Sequence, residues 1–173
     1  PKNFNQLESA ERHRVLTSLT GDVPSDLFDT LITRETLDSI RAMRVIQEKN
    51  GERGCNRYII SNCQSIDNIL ELYAMHKICN WEAPKVDIIP LFETIPDLEV
   101  CEKIMKTLYE NEVYRKHLSA RGDKQTVMLG FSDGTKDGGY FMANWSIYKA
   151  KEDLTRLYQQ YGISIAFFDG RGG

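Results

Sequence analysis

The sequence predicts an α/β fold with about four parallel strands and helices between them. Three observations predict it. Short apolar runs near 57–61, 86–92, 127–131 and 163–168 have the length of buried strands. Helix-patterned segments separate them, and connections of that kind imply parallel pairing with right-handed crossovers. Each run also ends in polar, reactive groups: Ser61-Asn62, Glu93, Ser132-Asp133 with Lys136, and Asp169 with Arg171. In parallel α/β folds the C-terminal strand ends share one face, where sites are built. The pattern allows a doubly wound sheet or a piece of a (β/α) barrel.

The elements follow in order. The first five residues are expected to lack regular structure. Gln6 to Leu19 reads as a helix with a weak apolar face (Leu7, Ala10, Val15, Leu16, Leu19), stopped by Gly21 and Pro24. Thr33 is placed to cap a second helix, with Glu35 in its first turn and Leu37, Ile40, Met43 and Ile46 at helical spacing; Asn50-Gly51 ends it. Its charges (Arg34, Arg41, Arg44, Glu48, Lys49) read as a solvated face. Arg57 to Ser61 is the first strand. Ser65 caps a helix that turns Ile66, Ile69, Leu70 and Tyr73 inward. Val86 to Phe92 is the second strand, expected to end or bend at Pro90, which cannot donate to a ladder.

Thr94 caps the next helix, with Pro96 early in it and Asp97 as capping-box acid. Cys101, Ile104, Met105 and Leu108 form its core stripe. Asn111 to about Ala120 is a shorter helix carrying Val113, Tyr114 and Leu118. Val127 to Phe131 is the third strand. It runs into a polar, glycine-bearing loop from Ser132 to Gly139. A helix then reaches Tyr161, with Ile147, Ala150, Leu154, Leu157 and Tyr161 on one face; Trp145 and Tyr148 read as packing that broadens it. Gly162 is its C-terminal cap. Ile163 to Phe168 is the last strand, followed by Asp169.

Length and composition bound the function. The 173 residues suit one domain, read as a single partial domain over 1–173. The chain starts at Pro1 and ends inside what reads as a functional loop, so a segment of a longer polypeptide is expected. With 41% hydrophobic and 27% charged residues it is ordinary for a globular protein. A net charge of -3 without a basic stripe excludes a nucleic-acid partner. No apolar run is long enough for a membrane span, and the polar N-terminus lacks a signal-peptide core. Cys55, Cys63, Cys79 and Cys101 form no CxxC pair and read as reduced thiols. His13, His76 and His117 make no zinc-like spacing, and no GxSxG points to a hydrolase triad.

The strand-end residues carry the chemistry. Glu93 and Asp133 end successive strands and can converge. Two carboxylates, waters and a substrate phosphate make a normal Mg²⁺ shell, because this ion binds hard oxygens and keeps water. Lys136 and Arg171 suit a phosphate or carboxylate, Arg through bidentate contact. Gly170, Gly172 and Gly173 let the backbone approach a ligand. Asp137 is as well placed as Asp133 on position alone. The competing reading of 132–139 is a turn rich in Gly and Asp for conformational reasons. Taken together, the positions point to metal-assisted chemistry on a phosphorylated acid.

At these residues the sequence resembles phosphoenolpyruvate carboxylase. Leu91 to Thr94 (LFET), followed by Asp97-Leu98, looks like the family's LFET motif. Gly130 to Asp137 (GFSDGTKD) is similar to its GYSDSxKD motif, with the following AxW at Ala143 to Trp145. Phe168 to Gly173 (FDGRGG) looks like FHGRGG, and Tyr58 to Ser61 (YIIS) resembles the YVIS strand. The similarity runs from about Ser9 to the end. It corresponds to a central-to-late part of a much longer family polypeptide.

The resemblance implies a helix-rich portion of a TIM-type (β/α)₈ barrel, in a cytoplasmic enzyme that is homotetrameric when whole. It implies carboxylation of phosphoenolpyruvate by bicarbonate, giving oxaloacetate and phosphate with Mg²⁺ or Mn²⁺. Glu93 and Asp133 fall on the metal-binding positions; Lys136 and Arg171 fall on the positions that contact anionic reactants. Asp169 departs from the pattern, standing where the family has His. An Asp there is unfavourable beside anions unless protonated or paired, for instance with Arg171. It raises the alternative of a carboxylase-like protein that binds phosphorylated metabolites without turnover. A generic metal-dependent enzyme of phosphorylated acids is the third reading. The family's histidine motif and the glycine-rich arginine loop after GRGG are absent from the chain, so this segment alone is expected to be inactive.

Overall fold

The computed structural model describes residues 3–170. They group into two compact units, one from 3–56 with 70–86 and one from 57–69 with 87–170.

The first unit is helical. Phe4–Gln6 form a single turn rather than irregular chain, and α1 spans Ser9–Ser18, shorter than its periodicity suggested, with only Leu16 buried. Helix α2 spans Leu31–Asn50. It starts two residues before the expected cap: Thr30 is the N-cap residue, and its hydroxyl lies 2.6 Å from that of Thr33. Leu37, Ile40 and Met43 are buried. The arginines of α2 are more than a solvated face. Arg41 bonds the Val23 carbonyl and pairs with Asp22 and Asp38, while Arg44 bonds the Asn80 carbonyl. Guanidinium groups thus pin two irregular segments whose carbonyls have no helix or sheet to join.

The second unit carries the sheet. Its strands are β1 (Arg57–Ile60), β2 (Asp87–Phe92), β3 (Lys124–Gly130) and β4 (Ser164–Gly170), all parallel and in the order β1-β2-β3-β4. Helix α3 (Ile66–Ile78) follows β1, α4 (Ile95–Glu110) and α5 (Glu112–Ala120) follow β2, and α6 (Ser132–Tyr161) follows β3. β2 does not stop at Pro90. It pairs with β1 from Asp87 through Pro90 and with β3 at Leu91 and Phe92. The proline therefore sits where the ladder passes from one neighbour to the other, so its missing donor breaks no continuous run.

Alternation sorts the side chains by face. In β3, Gln125, Val127 and Leu129 are buried while Thr126, Met128 and Gly130 are only partly covered. The α4 stripe of Leu98, Cys101, Ile104, Met105 and Leu108 packs with Ala143, Ile147, Ala150, Leu154 and Leu157 of α6. Each large aliphatic side chain buried there contributes about 1.5–3 kcal/mol. The capping box forms as expected: Thr94 accepts from the Asp97 N–H, and the Asp97 carboxylate accepts from the Thr94 N–H. Gly162 closes α6 in the left-handed conformation (φ 63°), which glycine adopts without a Cβ penalty. Trp145 and Tyr148 do not broaden the packed face. They stack on each other and are about half exposed, with Tyr140 and Phe141 more exposed still.

Two predictions follow from the core. Tyr109 donates to the Tyr158 hydroxyl at 2.5 Å in a fully buried pair. Tyr158→Phe removes that acceptor and is expected to cost about 1–3 kcal/mol, measured by urea denaturation. Burial also pushes the Cys63 and Cys101 thiols from 9.0 up to about 12. In the unfolded chain these thiols ionise near their ordinary value, while the native state holds the protons. Stability from this source is therefore intact below about pH 9 and declines as pH rises toward about 12. Urea midpoints across that window should fall less steeply in a Cys63→Ala/Cys101→Ala variant than in the wild type.

Candidate functional site

The strand register decides which polar residues meet. Phe92 pairs with Leu129, and Leu129 with Asp169, so Glu93, Gly130 and Gly170 stand level at the C-terminal end of the sheet. A β-carbon on Gly130 would lie 3.0 Å from the Glu93 Cα and 3.3 Å from its Cγ. One on Gly134 would lie 3.6 Å from the Glu93 carbonyl oxygen. Glycine at both positions lets the turn that carries Asp133 close onto Glu93.

Glu93 is held from three directions. Its backbone N–H reaches the Asp97 carboxylate at 3.4 Å. Its Oε2 accepts the Asn62 N–H at 3.1 Å, from the segment after β1. Its backbone rests on Gly130. One face of this half-buried carboxylate is thus fixed, and Oε1 has no hydrogen bond among those described.

The stretch after β3 is not a loop. α6 begins at Ser132, and its only non-helical residue is Gly139, at φ 80° and ψ 167°. Residues 132–138 form a short helical turn, and 140–161 form the long helix. Gly139 supplies a backbone angle that side-chain-bearing residues rarely adopt. Asp133 and Lys136 sit on the short turn three residues apart, with Lys136 Nζ 2.9 Å from Asp133 Oδ1. That bond raises the lysine's pKa and keeps it protonated. The pair is exposed, so solvent screens it and either partner can leave for a ligand at small cost. Asp137 is exposed on the same turn, with no ion pair among those described.

Asp169 lies within β4, level with Leu129, rather than beyond the strand. Its carboxylate is on Lys151 of α6, 2.7 Å from Oδ1 and 2.9 Å from Oδ2. Arg171, Gly172 and Gly173 lie outside the described residues. The structure therefore brings Glu93 next to the turn bearing Asp133 and Lys136, and directs Asp169 elsewhere. Lys151 had no motif to mark it; only the strand–helix register brings residues 18 apart together. Asp97 was legible as a cap, but not its second bond to the backbone of Glu93.

Carboxylates are hard oxygen donors of the kind Mg²⁺ takes, though among the described residues no group of three or more His, Cys, Asp or Glu is placed to hold a metal ion. The glycines at 130 and 134 bring the Asp133 turn close to Glu93. A groove of about 320 Å³ between α4 and α6, lined by Leu98, Glu102, Met142, Trp145 and Lys149, contains none of these residues.

Comparison with known proteins decides the family. The family profile described as phosphoenolpyruvate carboxylase matches residues 1–173. The chain is also similar to a curated phosphoenolpyruvate carboxylase of Nitrosomonas eutropha, 39% identical over 184 aligned positions. That match covers 99% of this chain. The chain belongs to the phosphoenolpyruvate carboxylase family. It spans 20% of the length of that relative. Within this family segment, the ordered motifs LFET and GFSDGTKD end β2 and bridge β3 to α6, and the described part of FDGRGG, Phe168 to Gly170, ends β4. No helix among the described residues is long and apolar enough to cross a membrane.

The close approach at Gly130 gives a direct test. Gly130→Ala places a β-carbon against backbone that cannot swing aside, and is expected to destabilise by about 1–3 kcal/mol. An unchanged denaturation midpoint would mean that the Glu93 segment yields freely.

Proposed function

We propose that the full-length protein containing this chain is a phosphoenolpyruvate carboxylase, forming oxaloacetate and phosphate from phosphoenolpyruvate and bicarbonate. The observation that carries the reading is the Glu93 carboxylate, fixed by the Asn62 N–H and seated on Gly130 beside the turn bearing Asp133 and Lys136. Glu93 and Asp133 would hold Mg²⁺ or Mn²⁺. Such an ion supplies electrostatic stabilisation of charge on phosphate and enolate oxygens. Lys136 offers a protonated ammonium that can turn from Asp133 to an anionic reactant. Arg171 is assigned a bidentate contact to phosphate or carboxylate. In the implied sequence a bicarbonate oxygen attacks the phosphorus and displaces the enolate; the carboxyphosphate formed splits into carbon dioxide and phosphate, which keeps the bicarbonate proton; and carbon dioxide adds to the enolate carbon to give oxaloacetate. Preoriented cations spare the site reorganisation as that charge develops.

The finer architecture belongs to the same reading. Sequential order without a reversal suits part of a TIM-type barrel better than a doubly wound sheet, in which strand order reverses at a switch point. Ile59, Met128 and Phe168 occupy the sheet face opposite the helix-covered one, and Ile59 and Phe168 are 42% and 48% exposed. That face would line the barrel interior of the longer protein. A cytoplasmic homotetramer is the assembly proposed for it. The alternative, a carboxylase-like protein that binds phosphorylated metabolites without turnover, rests on Asp169. The engagement of Asp169 by Lys151 favours the carboxylase.

A coupled assay of oxaloacetate formation on the full-length protein tests the reading. Glu93→Gln and Asp133→Asn are each expected to lower kcat/KM by about a hundredfold or more, as loss of a preorganised electrostatic group does. Asp137→Asn should stay near wild type, and the 173-residue chain alone should be inactive. A full-length protein that binds phosphoenolpyruvate without bicarbonate-dependent turnover would favour the alternative.

A further inference from the structure

The Lys151–Asp169 pair lies outside the machinery described above, yet it ends the strand that leads to Arg171. Its geometry is specific. Asp169 shares a face of β4 with Phe167, and both meet Lys151: the carboxylate through two contacts of 2.7 and 2.9 Å, the ring at 5.7 Å from Nζ to centroid. Gly170, the next residue, faces the other way, where a β-carbon would meet Met128 Cε at 2.8 Å. Met128 is level with Leu91, two residues before Glu93 in β2. Alternation thus places Glu93, Gly130 and Gly170 on one side of the sheet end and Asp169 on the other.

We propose that Lys151 is a positioning residue that holds the Asp169 carboxylate on the helix-facing side of β4, away from the anion-binding face. This rests on the site reading given above. A free carboxylate at this strand end would repel the phosphate and carboxylate groups of the reactant. Gripped by an ammonium that itself lies over the Phe167 ring, it is neutralised and aimed outward. The Phe167 ring also favours the lysine's position, since cations are attracted to aromatic faces. Lys151 reaches from α6, so the pair also ties the end of β4 to the helix that starts with the Asp133 turn.

The test is a double-substitution cycle in the full-length protein, reading phosphoenolpyruvate affinity with Mg²⁺ by calorimetry and KM and kcat by the coupled assay. Lys151→Met should weaken phosphoenolpyruvate binding about three- to tenfold, the effect of one partly screened charge, and raise KM more than it lowers kcat. Lys151→Arg should restore most of the affinity. In an Asp169→Asn background, Lys151→Met should change affinity less than about twofold, because the charge it releases is gone. Equal losses in both backgrounds, or a loss in kcat alone, would overturn the proposal. A wild-type protein that fails to bind phosphoenolpyruvate would instead sink the site reading. The pair is then judged on urea midpoints alone: non-additive effects of Lys151→Met and Asp169→Asn support the clasp, and additive effects overturn it.

Discussion

Parallel pairing in a fixed register is the constraint on which the rest depends. Phe92, Leu129 and Asp169 are level across three strands, and that one alignment sets Glu93 beside Gly130 and Gly170. A one-residue slip of β2 would turn Glu93 toward the helices, and one of β4 would turn Asp169 toward the proposed ligand face. The register is fixed by burial: Val127 and Leu129 are sealed under helices, and no other phase of β3 buries them. Gln125 secures it further. Its amide donates to the Ile88 carbonyl at 2.8 Å, and its oxygen accepts from the Tyr114 hydroxyl at 3.2 Å, joining β3 to β2 and α5.

Much of this was legible in the sequence because it is local or periodic. The four strands, the Thr94–Asp97 box and the Gly162 cap follow from patterns within a few residues. The errors share a cause. Ser132 to Gly138 carries turn-forming residues, yet it coils because the chain leaving β3 must reverse over Glu93, and small residues at 134 and 143 permit that packing. Pro90 argued for a strand end, but the cost of proline depends on which neighbour needs the hydrogen bond, and sequence alone does not reveal the neighbour. Trp145 and Tyr148 were read as core because aromatics dominate cores. They sit instead on the open side of α6.

The candidate site shows the same division. Glu93, Asp133 and Lys136 were readable as motif residues at strand ends. What holds them was not: the Asn62 N–H is a backbone group, and Gly130 acts by lacking an atom. Lys151 is invisible without the fold, since one lysine on a charged helix carries no mark. Membership of the phosphoenolpyruvate carboxylase family gives these positions a common setting. The local geometry explains why Asp at 169 need not intrude on it.

The break at Gly139 has a geometric consequence. In an unbroken helix the first turn would share one axis with the long segment that packs on α4. Here the helical angles are interrupted at one glycine, so the turn bearing Asp133 and Lys136 takes a direction of its own before the long helix begins. The long helix stays seated by Ile147, Ala150 and Leu154. The motif turn is thus set at an angle that the core does not impose on it, while Gly134 keeps it against Ala143 and Glu93.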